Sequence, residues 1–596
     1  MTNRKKSLSK KIREKQRPRS AGLIGPAVIV GAALIAVLPL LKSGPSCGAD
    51  FYFHFVSWLD AQRSMLQGDL YPSWASSANF GAGEPRFVFY PPLSWMAGAL
   101  LGMVLPWSGV VLAFDFLLLA ATGLATRALG REFFLEGQAT LAGCASIFLG
   151  AGLFNIYQRS AFAELTGGFW IPLLLLFLLR DRSAEKRLWG RAFEGTTAPL
   201  ALVIAGIWLS NGPLAIMASY LLAATAMVSA VLRKTWAPIV RAVVAGSLGL
   251  ALASIYLIPA TWERGFANLG VAVSQKDYRI ENNWLFGQSA VRISAAHDFM
   301  IELASEVAVA MFAITLVAAL IAWRRGTLPG EHSWWGPLAL IPVGVFVLQF
   351  PISLHIWNLA PGLRMLQFPW RWLVMMQPTL GIFFAAAVWF AAARKRIWVW
   401  AGCGLLFFVL SISAWGIGFN ECREVLAALP GLAMDGQTKG KPEYSPPGLE
   451  HALVEQSVPA NCEVNNLAQI SVDGAQSKLV PPTQANCEGS FSEVSNLPGH
   501  KVFAGTAERA GYLILRLRSF PAWKTTVNGR ETSALTEHGN GLMVVPIPQG
   551  QVTVSADWTA TADVVAGRCM SALGLVFLIA FYGLERRLSL RARPNE

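Results

Sequence analysis

Charged side chains are scarce in this 596-residue chain: Asp, Glu, Lys and Arg make up 14% of it, against roughly 25% in a soluble globular domain. That shortage excludes a chain that is water-soluble as a whole. Acidic residues are fewest, 36 against 49 basic ones, for a formal net charge of +13. A surplus of that size raises nucleic acid as a partner. The basic residues, however, fall in short clusters between apolar stretches and at the two ends, which is the pattern of membrane topology, so no nucleic acid partner is expected. No glycine-rich loop leads into a helix, which argues against a soluble nucleotide-sugar donor. The seven histidines, His54, His297, His332, His355, His451, His500 and His538, show no metal-ligand spacing. Heptads, short-period repeats and low-complexity tracts are missing, and so is the inverted duplication found in many transporters.

Apolar residues fill the chain instead, 54% of it, with 22 Trp and 34 Phe. Residues 1–22 are basic (Arg4, Lys5, Lys6, Lys10, Lys11, Arg13, Lys15, Arg17 and Arg19) and precede an apolar run from Leu23 to Leu41. Such a start is either a signal peptide or an anchor. The run is long for a signal and lacks a clear cleavage site, so a retained anchor is expected. Further membrane-length runs follow at 107–126, 137–154, 165–179, 197–210, 213–232, 238–258, 307–323, 335–352, 373–393, 397–418 and 562–584, about twelve spans in all. Basic clusters lie at Arg127 and Arg131, Arg180 to Arg191, Arg233 to Arg241, Arg324 and Arg325, Arg394 to Arg396, and Arg586 to Arg593. Placing all of them inside with both termini predicts one topology for a multi-pass membrane protein. Counting the apolar stretch from Tyr90 to Pro106 as a span would put Arg127 and Arg131 outside, so it is expected to re-enter or to lie at the interface.

The outer side then collects residues 42–90, 155–164, 210–213, 259–306, 353–372 and 419–561. The predicted organisation is a basic tail (1–22), a transmembrane domain (23–418) with outer loops 42–106 and 259–306, an extracytoplasmic domain (419–561), a last span (562–584) and a second basic tail (585–596). In 419–561, alternation at Leu513, Leu515, Leu517 and at Val552, Val554, Ala556, with turns at Asn528-Gly529 and Gln549-Gly550, predicts a small β-rich domain. It carries Cys462 and Cys487, a candidate pair in an oxidising compartment, whereas Cys144, Cys403 and Cys569 fall in or beside spans.

Three outer clusters carry chemistry. In Cys47-Gly48-Ala49-Asp50-Phe51-Tyr52-Phe53-His54, apolar positions 51, 55, 58, 59 and 66 recur at helical spacing, predicting an amphipathic surface helix over 51–67 with Asp50 and His54 on one face. Asp50 is placed either to cap that helix or to act as a general base, with His54 beside it to orient or tune it. Arg159 and Glu164 sit at an outer helix end, as an interfacial anchor or as site residues. In Leu366-Gln367-Phe368-Pro369-Trp370-Arg371-Trp372 a cation stands between two indoles. It is either a snorkelling anchor in an aromatic belt or a guanidinium fork for phosphate.

These motifs resemble the GT-C class of polytopic membrane glycosyltransferases, in particular the bacterial membrane family labelled 6-pyruvoyl-tetrahydropterin-synthase-related. Gly48-Ala49-Asp50 to His54 is similar to its G-x-D-x-x-x-H loop, Tyr90-Pro91-Pro92-Leu93 to its Y-P-P-L, and Arg159 to Glu164 to its R-G-A-x-A-E. Gln367 to Arg371 resembles its Q-F-P-W-R, and Glu443-Tyr444-Ser445-Pro446 its E-Y-x-P. The stretch from Phe520 to Gly529 is similar to the β-domain that ends related envelope proteins. Ser160 stands where the family has Gly, and Ser210-Asn211 where relatives often carry Ser-His. No histidine cluster supports the pterin label. The resemblance implies a GT-C-like fold and a sugar moved from a polyprenyl-phosphate donor to an envelope glycan, lipid or protein acceptor, with inversion. It further implies Asp50 as base with His54 and Glu164 as catalytic partners, and substrate contacts from Arg159, Tyr90, Arg279, Gln367, Trp370 and Arg371. No protein metal site is implied, and a divalent cation is left open as cofactor. The competing expectations are an envelope-lipid transporter or flippase, and a non-catalytic polysaccharide-binding protein.

Overall fold

In hydrocarbon a backbone must satisfy its own hydrogen bonds, so the long apolar runs have helix as their available form. The computed structural model describes residues 21–180, 196–286, 293–328, 332–390, 392–449, 451–464, 491–537 and 539–591. Among these, nine helices are long and apolar enough to cross a membrane, and two bent pairs, Ala237–Leu252 with Ser254–Phe266 and Ser333–Val347 with Pro351–Leu359, raise the number to eleven. The remaining expected span, 197–210, is a 14-residue helix, short for a full crossing. The stretch after Tyr90 is the 13-residue helix Pro92–Val104, also too short to cross. The chain is thus a polytopic α-helical protein with an antiparallel β unit ahead of its last helix, Ala562–Arg591.

One end of the bundle gathers the arginines. Arg127 bonds Glu136 (2.8 Å), Arg180 bonds Glu132 (3.0 Å), and Arg233 and Arg241 donate to the Leu179 and Leu178 carbonyls (2.8 and 2.9 Å). At that end, too, Glu585 accepts the Thr197 and Ala198 amides, satisfying the start of Thr197–Ser210. The helical stretch Glu136–Arg159 runs from that end to the other, where Asp50, Glu164 and Arg371 lie. Charge clustering in the sequence therefore maps onto two separate ends of the molecule.

The segment after the first span departs from its expected form. Phe51–Leu66 is helical, but it is buried on most sides rather than lying on a surface. It packs against Pro92–Val104, where Trp58 covers Gly98 so closely that a Cβ there would stand 2.2 Å from the indole. Two of its polar residues are buried with partners: Asp60 accepts both the amide and the hydroxyl of Ser77 (3.0 and 2.8 Å), and Ser57 accepts from Arg86 (3.1 Å). Helical periodicity reports a buried stripe, and residues 75–87 and the helix Arg423–Met434 pack over other faces of this helix. A disulfide absent from the expectations, Cys47–Cys422, ties the start of this segment to residues 375 positions later. Cys462 is also disulfide-bonded, and Cys487 lies outside the described residues. Non-reducing peptide mapping of the membrane-extracted protein should recover the Cys47 and Cys422 peptides as one cross-linked species that separates on reduction.

The β unit comprises β1 (Asn461–Val464), β2 (Ser492–Leu497), β3 (His500–Ala507), β4 (Gly511–Arg518), β5 (Trp523–Val527), β6 (Arg530–Thr532), β7 (Leu535–Thr536), β8 (Leu542–Ile547) and β9 (Gly550–Trp558). They form two antiparallel sheets, ordered β1-β4-β8-β7 and β2-β3-β9-β5-β6. The expected alternation holds, with Leu513, Leu515 and Leu517 facing Val552, Val554 and Ala556 in one core. Asn528 and Gly529, both at positive φ, make the β5–β6 turn. Trp74 and Val88 of the segment between the first two spans complete this core, Trp74 lying 5.3 Å from Trp558 and 5.6 Å from Trp523 between ring centroids. The β unit is therefore packed onto the segment that carries Asp50 and Tyr90.

Candidate active site

The loop Ser46–Asp50 and the turn Tyr157–Ser160 are laced together by their backbones. The Asp50 amide donates to the Arg159 carbonyl (2.8 Å), the Gly48 amide to Ser160 Oγ (2.9 Å), and Ser160 Oγ to the Ser46 carbonyl (2.8 Å). A Cβ at Gly48 would come within 2.4 Å of the Arg159 backbone, so only glycine allows this approach. Ser160 has φ of +50°, a left-handed conformation that favours glycine, which gives the physical reason for Gly in the similar motif. Here the hydroxyl bridges both strands of the contact instead. Residues Asn155–Arg159 wind as a single π-turn, a form often found at functional sites.

This lacing brings two carboxyl and two guanidinium groups together. Arg159 Nη1 donates to Glu164 Oε1 (2.7 Å) and to Asn155 Oδ1 (3.0 Å), and its Nη2 reaches Asp50 Oδ2 (3.3 Å). Arg371 Nε stands 3.3 Å from Glu164 Oε2. Arg159 and Glu164 are almost fully buried, at 4% and 6% side-chain exposure, while Asp50 keeps 42%. Asp50 makes no capping hydrogen bond to its helix, so the capping reading fails and the carboxylate is turned towards Arg159. Arg371 differs from Arg159. It lies over the Phe368 ring (5.0 Å), not between indoles, because Trp370 and Trp372 turn into the core. Among the described residues no oxygen accepts a hydrogen bond from its guanidinium, and its Nε is a buried donor without an acceptor. Buried cationic donors are ordinarily satisfied, so an unfilled one marks a place for an anion.

Around the four groups, His54 is buried among Phe53, Tyr90 and Phe162, at 5.5, 6.0 and 5.5 Å between centroids. Burial pulls its pKa down to about 4, against a smaller upward pull from Asp50, so the ring is neutral at pH 7. It therefore packs beside the cluster without adding charge. Because the unfolded His54 takes up its proton nearer 6.5, stability is complete above that pH and is lost as pH falls towards 4. At pH 5 wild type should lose about 2 kcal/mol through this group, and His54→Phe should remove that part of the loss; unfolding midpoints at pH 7 and pH 5 measure it. The Tyr90 hydroxyl is held well above its usual range, first by burial and then by the Asp50 charge, and it hydrogen-bonds Asn211. Asn211 also caps the helix Gly212–Arg233, accepting the Leu214 amide at 2.8 Å.

Gln367 occupies a strained turn, φ +63° and ψ −42°, in which the Phe368 amide bonds back to the Leu366 carbonyl (2.6 Å). That kink sets Phe368 under Arg371. Arg279 is not brought to the cluster: it is exposed, with Nε donating to the Ser274 carbonyl (3.1 Å). Its neighbour Tyr278 reaches the rim instead, 6.2 Å from Phe368 and within the fields of Glu443, Asp50 and Arg371. Burial raises the Glu443 pKa, and Tyr444 stacks on Phe53 at 6.2 Å. Asn155 and Tyr278 had no motif of their own in the sequence, and Asn211 stood out there only as a departure from the Ser-His of similar proteins. Among the described residues no three His, Cys, Asp or Glu side chains converge as a metal set, and the Asp50 and Glu164 carboxylates are joined through Arg159.

Beside this cluster an apolar groove of about 220 Å³ runs between Gly212–Arg233, His332–Val347 and the helix that follows Arg371. Leu221, Val228, Leu340 and Val345 line it, and Trp372 and Met375 place it next to Arg371 in the chain.

No family model matches the chain, and no curated protein does. Two solved structures are similar in part. One is the apo crystal structure of the oligosaccharyltransferase of Archaeoglobus fulgidus, with a TM-score of 0.38 and 11% identity, covering 70% of this chain and 56% of that one. The other is ArnT from Cupriavidus metallidurans bound to undecaprenyl phosphate, with a TM-score of 0.34 and 14% identity, covering 69% and 75%. The chain thus spans little more than half the length of the oligosaccharyltransferase.

Proposed function

We propose that this protein transfers a sugar from a polyprenyl-phosphate donor to a hydroxyl of a cell-envelope acceptor. The observation that carries the reading is Arg371: a largely buried guanidinium, ion-paired with Glu164, whose Nε has no hydrogen-bond acceptor among the described residues, in one cluster with the partly exposed Asp50 and next in the chain to the groove lined by Trp372 and Met375. A phosphate with an apolar chain meets both requirements at once, the head on Arg371 and the first part of the tail in the groove. In the reaction Asp50 takes the proton of the acceptor hydroxyl as its oxygen bonds the anomeric carbon. The bond from that carbon to the phosphate oxygen breaks, and the electron pair leaves with the phosphate, where Arg371 and Arg159 offset the growing charge. Attack opposite the leaving group inverts the anomeric centre.

Arg371→Lys tests the phosphate role. Lysine keeps the charge but loses the planar fork, so donor affinity should fall by ~1 to 3 kcal/mol, measured as donor-lipid binding at matched thermal stability. Equal affinities would leave Arg371 as a structural cation.

A transport reading has one observation in its favour. Asp115 lies within the membrane-length helix Trp107–Gly130, buried, with an oxygen that has no partner among the described residues, as ion and proton pathways require. It predicts donor movement across a bilayer without sugar transfer.

A further inference from the structure

Two residues before Tyr90, Val88 faces a second cavity, of about 280 Å³. It lies where the end of β9, the segment after the helix Ser254–Trp262, residues 69–73 and the foot of the last helix meet. One wall is aromatic: Trp558 stacks on Phe520, with centroids 5.5 Å apart and planes 10° from parallel. The rest is acidic, with Asp69, Glu263 and Asp563 against a single cation, Arg568. Glu263 hydrogen-bonds Asp563. Asp563 is only 6% exposed, yet its Oδ2 has no hydrogen-bond partner among the described residues, and the Tyr71 hydroxyl lining the same cavity has none either.

A buried acceptor and a buried hydroxyl on two residues that line one cavity, neither atom with a hydrogen-bond partner among the described residues, point to a ligand that supplies both a donor and an acceptor. The carboxyl surplus disfavours phosphate or any other anion, and the polar walls disfavour a lipid tail. No metal set converges here among the described residues. A ring that carries hydroxyls on its edge and C–H groups on its faces fits both the aromatic wall and the polar lining.

We propose that this cavity binds a neutral sugar ring, packed on the Trp558–Phe520 wall, donating a hydroxyl hydrogen to Asp563 and accepting one from Tyr71. The site is separate from the Asp50 cluster and does not rest on sugar transfer there, since it would hold its ligand in a protein that turns nothing over. Tyr90, two residues from Val88, puts the two places within a short stretch of backbone, so one glycan can reach from one to the other.

The test uses full-length protein in nanodiscs free of sugar-headed detergent. Maltotetraose, mannotetraose and galactotetraose are offered by equilibrium dialysis, and dodecyl maltoside is offered below its micellar concentration. At least one probe should bind, Tyr71→Phe and Asp563→Asn should each weaken binding about tenfold, and Asp50→Asn should leave it unchanged. Free oligosaccharide binding identifies the ring of a soluble or polymeric glycan as ligand. Binding of the alkyl glycoside alone identifies a glycolipid head, and either upholds the site. Absence of binding by every probe, wild-type affinity in both cavity variants, or loss of binding in Asp50→Asn would overturn it.

Discussion

Asp50→Asn should leave the protein folded and able to bind donor lipid while turnover falls by ~10²-fold or more, the usual contribution of a general base. The expectation rests on where the carboxylate points. It keeps 42% of its surface exposed at the edge of a buried cluster, meets Arg159 at 3.3 Å, and does no capping work for the helix it precedes. Asparagine preserves size and can still accept from Arg159, so loss of turnover without loss of stability isolates proton removal. Single-turnover kinetics at saturating donor make the measurement. A rate within a few-fold of wild type would assign Asp50 to holding Arg159 in place.

Glu164→Gln should act on stability before it acts on rate. Glu164 is the only acid that touches both Arg159 (2.7 Å) and Arg371 (3.3 Å) among the described residues, and both guanidiniums are buried. Without its charge two cations face each other in a low-dielectric site, and breaking a buried pair this way costs about 3 to 5 kcal/mol. Thermal unfolding in a fixed detergent reads the loss. Adding Arg371→Met to Glu164→Gln should restore part of it, because the second change removes the repulsion created by the first. Additive losses would show that the two arginines do not sense each other through Glu164.

Much of the architecture was legible because hydrocarbon allows so few backbone forms. Every long span matched an apolar run, and period-two alternation at Leu513 to Leu517 and Val552 to Ala556 announced the β core. The site was legible as three separate clusters, each with an unremarkable reading of its own as cap, anchor or belt. Their convergence was not, since it depends on the lacing of Gly48 and Asp50 to Arg159 and Ser160 across more than a hundred residues. The same distance hid the Cys47–Cys422 bond and the approach of Asn211 to Tyr90. The misplaced surface helix has a different cause: periodicity finds the stripe that faces the core, and whether the other stripe meets solvent depends on what packs over it. Arg279 entered through the resemblance with no matching motif, and the structure leaves it exposed, with Tyr278 at the rim instead.

The most direct test of the account is turnover itself. Purified protein in nanodiscs is given radiolabelled polyprenyl-phosphate sugars with an envelope extract as acceptor, and free sugar and glycosylated product are both scored. Sugar should leave the donor and appear on acceptor with inverted configuration in wild type, and neither event should be detectable above background in Asp50→Asn. A wild-type protein that binds donor and carries it across a bilayer, with no sugar released or transferred, would contradict the account and make Asp115 the residue to follow.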